Sequence, residues 1–79
     1  MEFYTAAHQD GERVKVRARH YGDGAYRIAR KLYGKVRGME VVRVTGTPGQ
    51  PGHFQAYAPS DAQPIGSLGD LFYVVSLPR

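Results

Sequence analysis

The sequence predicts an α+β protein in which one helix packs on one face of a single antiparallel sheet of four to five strands, in the order β-β-α-β-β-β. Three observations support this fold class. Residues 13–19 alternate cationic and apolar side chains, as a half-buried strand does. Residues 25–36 place apolar side chains at helical spacing, and Gly and Pro turns separate the remaining β-rich runs. Because one helix covers only one face, we expect the other sheet face to be open.

Turn chemistry predicts a hairpin at the start of the chain. Residues 3–7 form a short first strand, and the pair Asp10-Gly11 favours the positive backbone angles of a tight turn. Residues 13–19 then return antiparallel to the first strand. No linker or internal repeat interrupts the chain, so residues 1–79 are expected to form a single domain.

The helix is predicted to follow Gly22-Asp23-Gly24. Asp23 is the expected N-cap, and Gly34 or Gly38 can end the helix in the left-handed conformation. The helix stripe should meet the apolar face of the sheet. The expected core consists of Ile28, Leu32 and Val36 from the helix and Val14, Val16, Ala18, Val42, Val44, Phe54 and Ala56 from the strands.

A second hairpin is predicted in the second half of the chain. Residues 40–46 and 53–58 are its strands, joined by a stiff Pro-Gly loop at 47–52. Residues 59–69 contain two Pro, two Gly and few large apolar side chains, which favours a surface loop. Residues 71–77 are expected to close the sheet as the last strand.

The positive charge is concentrated in one stretch. Ten of the eleven Lys and Arg residues fall between Arg13 and Arg43, against two acids, which gives that stretch a net charge of +8 (ten minus two). Such charge either keeps a small domain soluble or faces an anionic partner, which can be a nucleic acid, a nucleoprotein or an acidic protein. We expect the partner-binding residues on the open face to be Arg13, Lys15, Arg17, Arg19, Arg43, Gln55 and Tyr57.

The sequence offers no catalytic constellation. It has no Cys, and His8, His20 and His53 lack the spacing of metal ligands, so neither a metal site nor a cofactor is expected. Its serines have no evident base nearby, and a chain of this size leaves little room for a small-molecule substrate cleft. We therefore expect a protein that is not an enzyme.

The sequence also indicates where in the cell the protein is expected to be. No apolar run is long enough to cross a membrane, and the first residues resemble a strand more than a signal peptide. A cysteine-free chain also suits a reducing cytoplasm. We expect a cytoplasmic protein with no membrane partner.

Cations interleaved with aromatic residues suggest one function. Small α/β modules stack unpaired bases on aromatic side chains while cations hold the phosphates. Tyr57 and Tyr4 are the candidate stacking residues here. This pattern predicts a small basic module that binds single-stranded nucleic acid.

A different function follows from the segment Arg43-Val44-Thr45-Gly46, its Pro-Gly loop and His53-Phe54-Gln55-Ala56-Tyr57. A compact, basic, cysteine-free chain with such a hairpin resembles the small phage-encoded anti-CRISPR proteins that act on type I systems. The resemblance covers size and element order along the whole chain. It implies a non-catalytic inhibitor that binds the crRNA-guided surveillance complex (Cascade) in the cytoplasm of the bacterial host and blocks interference. The resemblance and the nucleic-acid module are the two functional hypotheses.

Overall fold

The computed structural model describes residues 1–7, 13–60 and 63–78. The turn expected at Asp10-Gly11 lies outside these residues. The secondary-structure elements are β1 (Glu2–Ala7), β2 (Arg13–Ala18), α1 (Tyr21–Tyr33), β3 (Glu40–Arg43), β4 (Gly52–Ser60), β5 (Gln63–Ser67) and β6 (Phe72–Leu77).

The strands form one antiparallel sheet with the order β2-β1-β6-β4-β3, and β5 pairs with β4 outside this path. The helix α1 packs against the sheet, which confirms the predicted α+β class. The sheet has six strands because residues 63–67, expected in a loop, form β5.

The strands β5 and β6 both pair with β4, at different points along it. Tyr57 is opposite Ser67 and Phe54 is opposite Phe72, so the register shifts by two residues between the two pairings. The backbone of Leu68 still donates to the Ala56 carbonyl at 2.9 Å. The two strands thus act as halves of one interrupted strand, joined to β4 by backbone pairing.

The helix α1 begins three residues before the expected start. His20 is the N-cap, and its ring nitrogen Nδ1 accepts a hydrogen bond from the Asp23 backbone at 3.1 Å. Asp23 is therefore not the N-cap, although its carboxylate accepts from the backbone N–H of Arg19 at 3.2 Å. Both interactions satisfy donors at the helix start. The helix ends before Gly34, one of the two glycines predicted to end it; its φ of 79° is positive, but its ψ of −161° lies outside the left-handed helical region that was expected.

The core lies between α1 and the sheet. Ala25, Ile28 and Ala29 of the helix are fully buried against the strands, while Leu32 and Val36 are partly buried at the edge of this cluster. The strands contribute Tyr4, Ala6, Val16, Ala18, Phe54, Ala56, Phe72 and Val74. This face includes the positions predicted on β2 and β4.

The prediction for β3 is wrong by one residue. Val42 and Val44 were expected in the core, but each is nearly half exposed. Val41 pairs with Ala56 and Arg43 with Phe54, which puts Val41 and Arg43 on the helix side. A one-residue change in register exchanges the two faces of a strand. The guanidinium of Arg43 lies 4.6 Å from the centre of the Phe54 ring and so fills part of this side.

Candidate functional site

The face of the sheet opposite α1 is the candidate site, and we call it the open sheet face. Residues directly opposite each other on paired strands project to the same side of a sheet. The pairs Phe3–Arg17, Phe3–Leu77, His53–Tyr73 and Val42–Gln55 trace this face from β2 to β3. It carries Arg13, Lys15, Arg17, Phe3, Thr5, Tyr73, Val75, Leu77, His53, Gln55, Tyr57, Glu40 and Val42.

One border of the open sheet face is cationic. Arg13, Lys15 and Arg17 are exposed and alternate along β2, the outermost strand on that side. The Lys15 ammonium lies 4.7 Å from the centre of the Phe3 ring, within the range of a cation–π contact. This contact joins the cationic border to the middle of the face.

The middle of the open sheet face is apolar and aromatic. On the adjacent strands β1 and β6, Phe3 is 41% and Tyr73 is 47% exposed, and Val75 and Leu77 are half-buried beside them. Val42 is 47% exposed on the edge strand β3. In a sheet with one solvated face, polar residues ordinarily occupy the solvent-facing positions and alternate along each strand with the core residues. The exposed aromatic and aliphatic side chains here mark a surface suited to binding.

The sequence misassigned one aromatic residue and missed two. Tyr4, proposed to stack bases, is buried on the helix side with its ring centre 4.8 Å from that of Tyr21, and this burial raises its pKa. Phe3 and Tyr73 are the exposed rings in its place. The sequence carried no signal for this choice, because Phe3 and Tyr4 are adjacent aromatic residues and Tyr73 lies within the apolar run 72–75.

Hydrogen bonds fix the polar residues of β4. The Gln55 side chain donates to the Gly69 carbonyl at 2.9 Å and accepts from the Tyr57 hydroxyl at 2.7 Å. The ring centres of His53 and Tyr73 lie 4.8 Å apart. Both expected residues, Gln55 and Tyr57, are thus on the open sheet face and held in one conformation.

Two of the expected site residues lie elsewhere. Arg43 is on the helix side, where its guanidinium donates to the carbonyls of Thr45 at 3.2 Å and Gln50 at 2.9 Å. These bonds tie the loop between β3 and β4 to β3, which is a structural role. Arg19 follows the end of β2 and lines a groove beside the start of α1. Arg13, Lys15, Arg17, Gln55 and Tyr57 remain together on the open sheet face.

The groove beside α1, which we call the helix groove, has two adjoining parts of about 580 and 360 Å³. Its lining includes Arg19, His20, Asp23, Tyr26, Arg27 and Arg30. Arg27 contacts the Asp23 carboxylate at 3.3 Å. The hydrogen bond from the Arg19 backbone, together with Arg27, lowers the pKa of Asp23, which keeps this carboxylate ionised at neutral pH.

A scan against protein-family models and a search of the curated proteins found no match to this chain. Within the described residues, no group of three or more His, Asp and Glu side chains could hold a metal ion. In the same part of the chain, no helix has the length and apolar character needed to cross a membrane. The chemistry that the open sheet face offers is recognition by apolar contact, aromatic contact and positive charge.

Proposed function

We propose that this chain is a non-catalytic binding protein that docks onto a partner protein through its open sheet face. The observation that carries the proposal is the exposure of Phe3 and Tyr73 on the inner strands β1 and β6, on a face that no described helix or strand covers, with Val42 exposed on the edge strand β3. Burying such side chains against a partner removes apolar surface from water, which is the main favourable term in protein association.

The arrangement of the face supports a protein partner. Interfaces combine a dry, aromatic and apolar centre with a polar rim, and Arg, Tyr and Phe are enriched in them. Here the apolar centre lies between the cationic border on β2 and the polar residues of β4. A partner of matching chemistry has an apolar patch with acidic residues along one side, where they meet Arg13, Lys15 and Arg17.

We further propose that the partner is a crRNA-guided type I surveillance complex in the cytoplasm of a bacterial host, and that docking blocks interference. Support for this partner comes from the resemblance of the chain to small anti-CRISPR proteins in size, element order and hairpin segment. A rigid, preformed face suits an inhibitor that acts by occupying a surface, since little ordering is needed on binding.

A second candidate function uses the same face. The Lys15 ammonium next to the exposed Phe3 ring combines an aromatic platform with a cation that can hold a phosphate. This observation favours a module that binds single-stranded nucleic acid. The two functions differ in their salt dependence, because phosphate binding releases counterions and weakens steeply as salt rises.

Size-exclusion co-elution with a panel of purified, crRNA-loaded type I complexes tests the proposal, with a labelled single-stranded oligonucleotide run in parallel. We expect the chain to co-elute with one complex at moderate salt. Migration with the oligonucleotide alone, if the Phe3→Ala variant abolishes it, would support the second function, and co-elution with neither ligand would contradict both.

Variants of the retained complex then locate the interface. Phe3→Ala should weaken binding by about 30-fold, the loss typical of an interface hot spot, and Arg17→Glu should lower the association rate. The matched charge control is Arg30→Glu on the helix, which should bind as the parent chain does. Equal binding by all three variants would contradict the proposal that the open sheet face docks the partner.

A further inference from the structure

We infer that the helix groove is a second binding surface, and that it takes the phosphate backbone and one base of a single-stranded nucleic acid. This inference goes beyond the proposed docking and does not depend on it, because α1 packs on the sheet face opposite the open one. The groove supplies the two elements that such a ligand needs, which are unpaired cations and an exposed aromatic ring.

The charge around the helix favours a polyanion. Residues 19–37 contain six Lys and Arg against one acid, a net charge of +5 (six minus one). The single acid, Asp23, already accepts from the Arg19 backbone and from the Arg27 side chain. Its charge is therefore balanced locally, and the remaining guanidinium groups of the groove have a net positive field.

Arg30 and Arg19 are the groups available to a ligand. Both are exposed; Arg19 lines the larger part of the helix groove and Arg30 the smaller part, and Tyr26 lines both. Within the described residues, no hydrogen bond or ion pair involves either guanidinium group. A guanidinium binds a phosphodiester with two parallel hydrogen bonds, which makes arginine well suited to this ligand.

Tyr26 supplies the stacking surface. Its ring is 37% exposed and makes no ring contact with another described aromatic residue. Arg27 is held beside it by Asp23 at 3.3 Å, so the wall of the groove next to the ring is fixed. A base can then stack on Tyr26 while the neighbouring phosphates contact Arg19 and Arg30. Only an unpaired base can leave its own strand to stack in this way.

Fluorescence anisotropy with a labelled oligo-dT of about 15 nucleotides tests this inference on the full chain. With two phosphate contacts, from Arg19 and Arg30, we expect affinity to fall about 7-fold when salt rises from about 50 to about 200 mM. A matching duplex should bind more weakly than the single strand. Absence of binding at low salt, or tighter binding of the duplex, would overturn the inference.

Two matched pairs of variants locate the ligand. Arg30→Glu should weaken binding by at least about 10-fold, and Arg17→Glu on the open sheet face by less than about 3-fold. Tyr26→Ala should weaken it by at least about 5-fold, and Tyr73→Ala should leave it unchanged. The opposite order in either pair would overturn the inference, as would equally effective displacement of the oligonucleotide by polyglutamate. These readouts do not involve the partner protein, so they fail or succeed separately from the proposed docking.

Discussion

Gly24 lies where α1 contacts β1. Replacing it by alanine tests what determines which side chains of β1 project to the open sheet face. A Cβ atom at Gly24 would lie 2.9 Å from two carbons of the Tyr4 ring. The missing side chain at Gly24 leaves room for the Tyr4 ring on the helix side, and by strand alternation Phe3 then projects to the open sheet face. The orientation of the proposed site thus depends on a helix position that has no side chain.

The change in the free energy of unfolding expected for Gly24→Ala is the sum of two opposing effects. Carbon atoms pack best about 3.5–4.0 Å apart, so the helix or the ring must move by roughly 0.6–1 Å. Tyr4 is 4% exposed and its ring contacts Tyr21, which leaves little room for that movement. Overpacking costs about 1–3 kcal/mol, whereas alanine gains about 1 kcal/mol in helix propensity over glycine. We expect Gly24→Ala to destabilise the protein by about 1 kcal/mol.

Gly22→Ala is the matched control, because Gly22 is an exposed residue of the same helix whose added Cβ would only touch the His20 ring at 3.4 Å. It should be neutral or stabilising by up to about 1 kcal/mol. Urea unfolding followed by circular dichroism measures both variants. The difference between them isolates the overpacking of Tyr4 and should be about 1–3 kcal/mol. If Gly24→Ala is as stable as Gly22→Ala, the close contact does not control β1.

Three other variants test the fold around the site. Phe54→Ala should cost about 3–5 kcal/mol in urea unfolding, because Phe54 is 3% exposed in the core, and a near-neutral result would contradict its burial. Asp23→Asn should cost about 0.5–1 kcal/mol at pH 7. Because the folded-state pKa of Asp23 is lowered, its stabilisation is present above the ordinary value of 3.8 and is lost as pH falls through the folded pKa. The difference in stability between the two chains should therefore shrink as pH falls below 3.8, and a constant gap would refute this assignment. Arg43→Met should destabilise the protein by about 1 kcal/mol because the loop carbonyls lose their donor, and partner binding should be unchanged. Weaker binding by a variant as stable as the parent chain would show that Arg43 contacts the partner.

The sequence predicts the sheet and the helix well where side-chain patterning is long and regular. The alternation of residues 13–19 correctly gives the inner and outer faces of β2, and the apolar spacing of residues 25–36 gives the buried side of α1. These patterns succeed because burial of one face dominates the energy of each element. The charge pattern of β2 is sufficient to predict the cationic border of the open sheet face.

The failures lie where the pattern is short or where backbone pairing decides. In β3 the run Val41-Val42 has no alternation, and the choice of the buried valine depends on the pairing of Val41 with Ala56. Near the first residues, Phe3 and Tyr4 are both aromatic, so alternation alone does not choose between them; in the structure Tyr4 packs where Gly24 has no side chain. β5 forms through hydrogen bonds to β4, which leave no hydrophobic signal. The exposed centre of the proposed site therefore had to come from the structure.

The central claim is that the open sheet face, and not the helix, docks the partner protein. The most direct measurement is the dissociation constant of Tyr73→Ala and Tyr26→Ala for the surveillance complex that the parent chain retains, since both tyrosines are exposed and lie on opposite sides of the molecule. The account predicts about a 30-fold loss for Tyr73→Ala and less than about a 3-fold loss for Tyr26→Ala. Parent-like binding by Tyr73→Ala, or a larger loss for Tyr26→Ala, would contradict it.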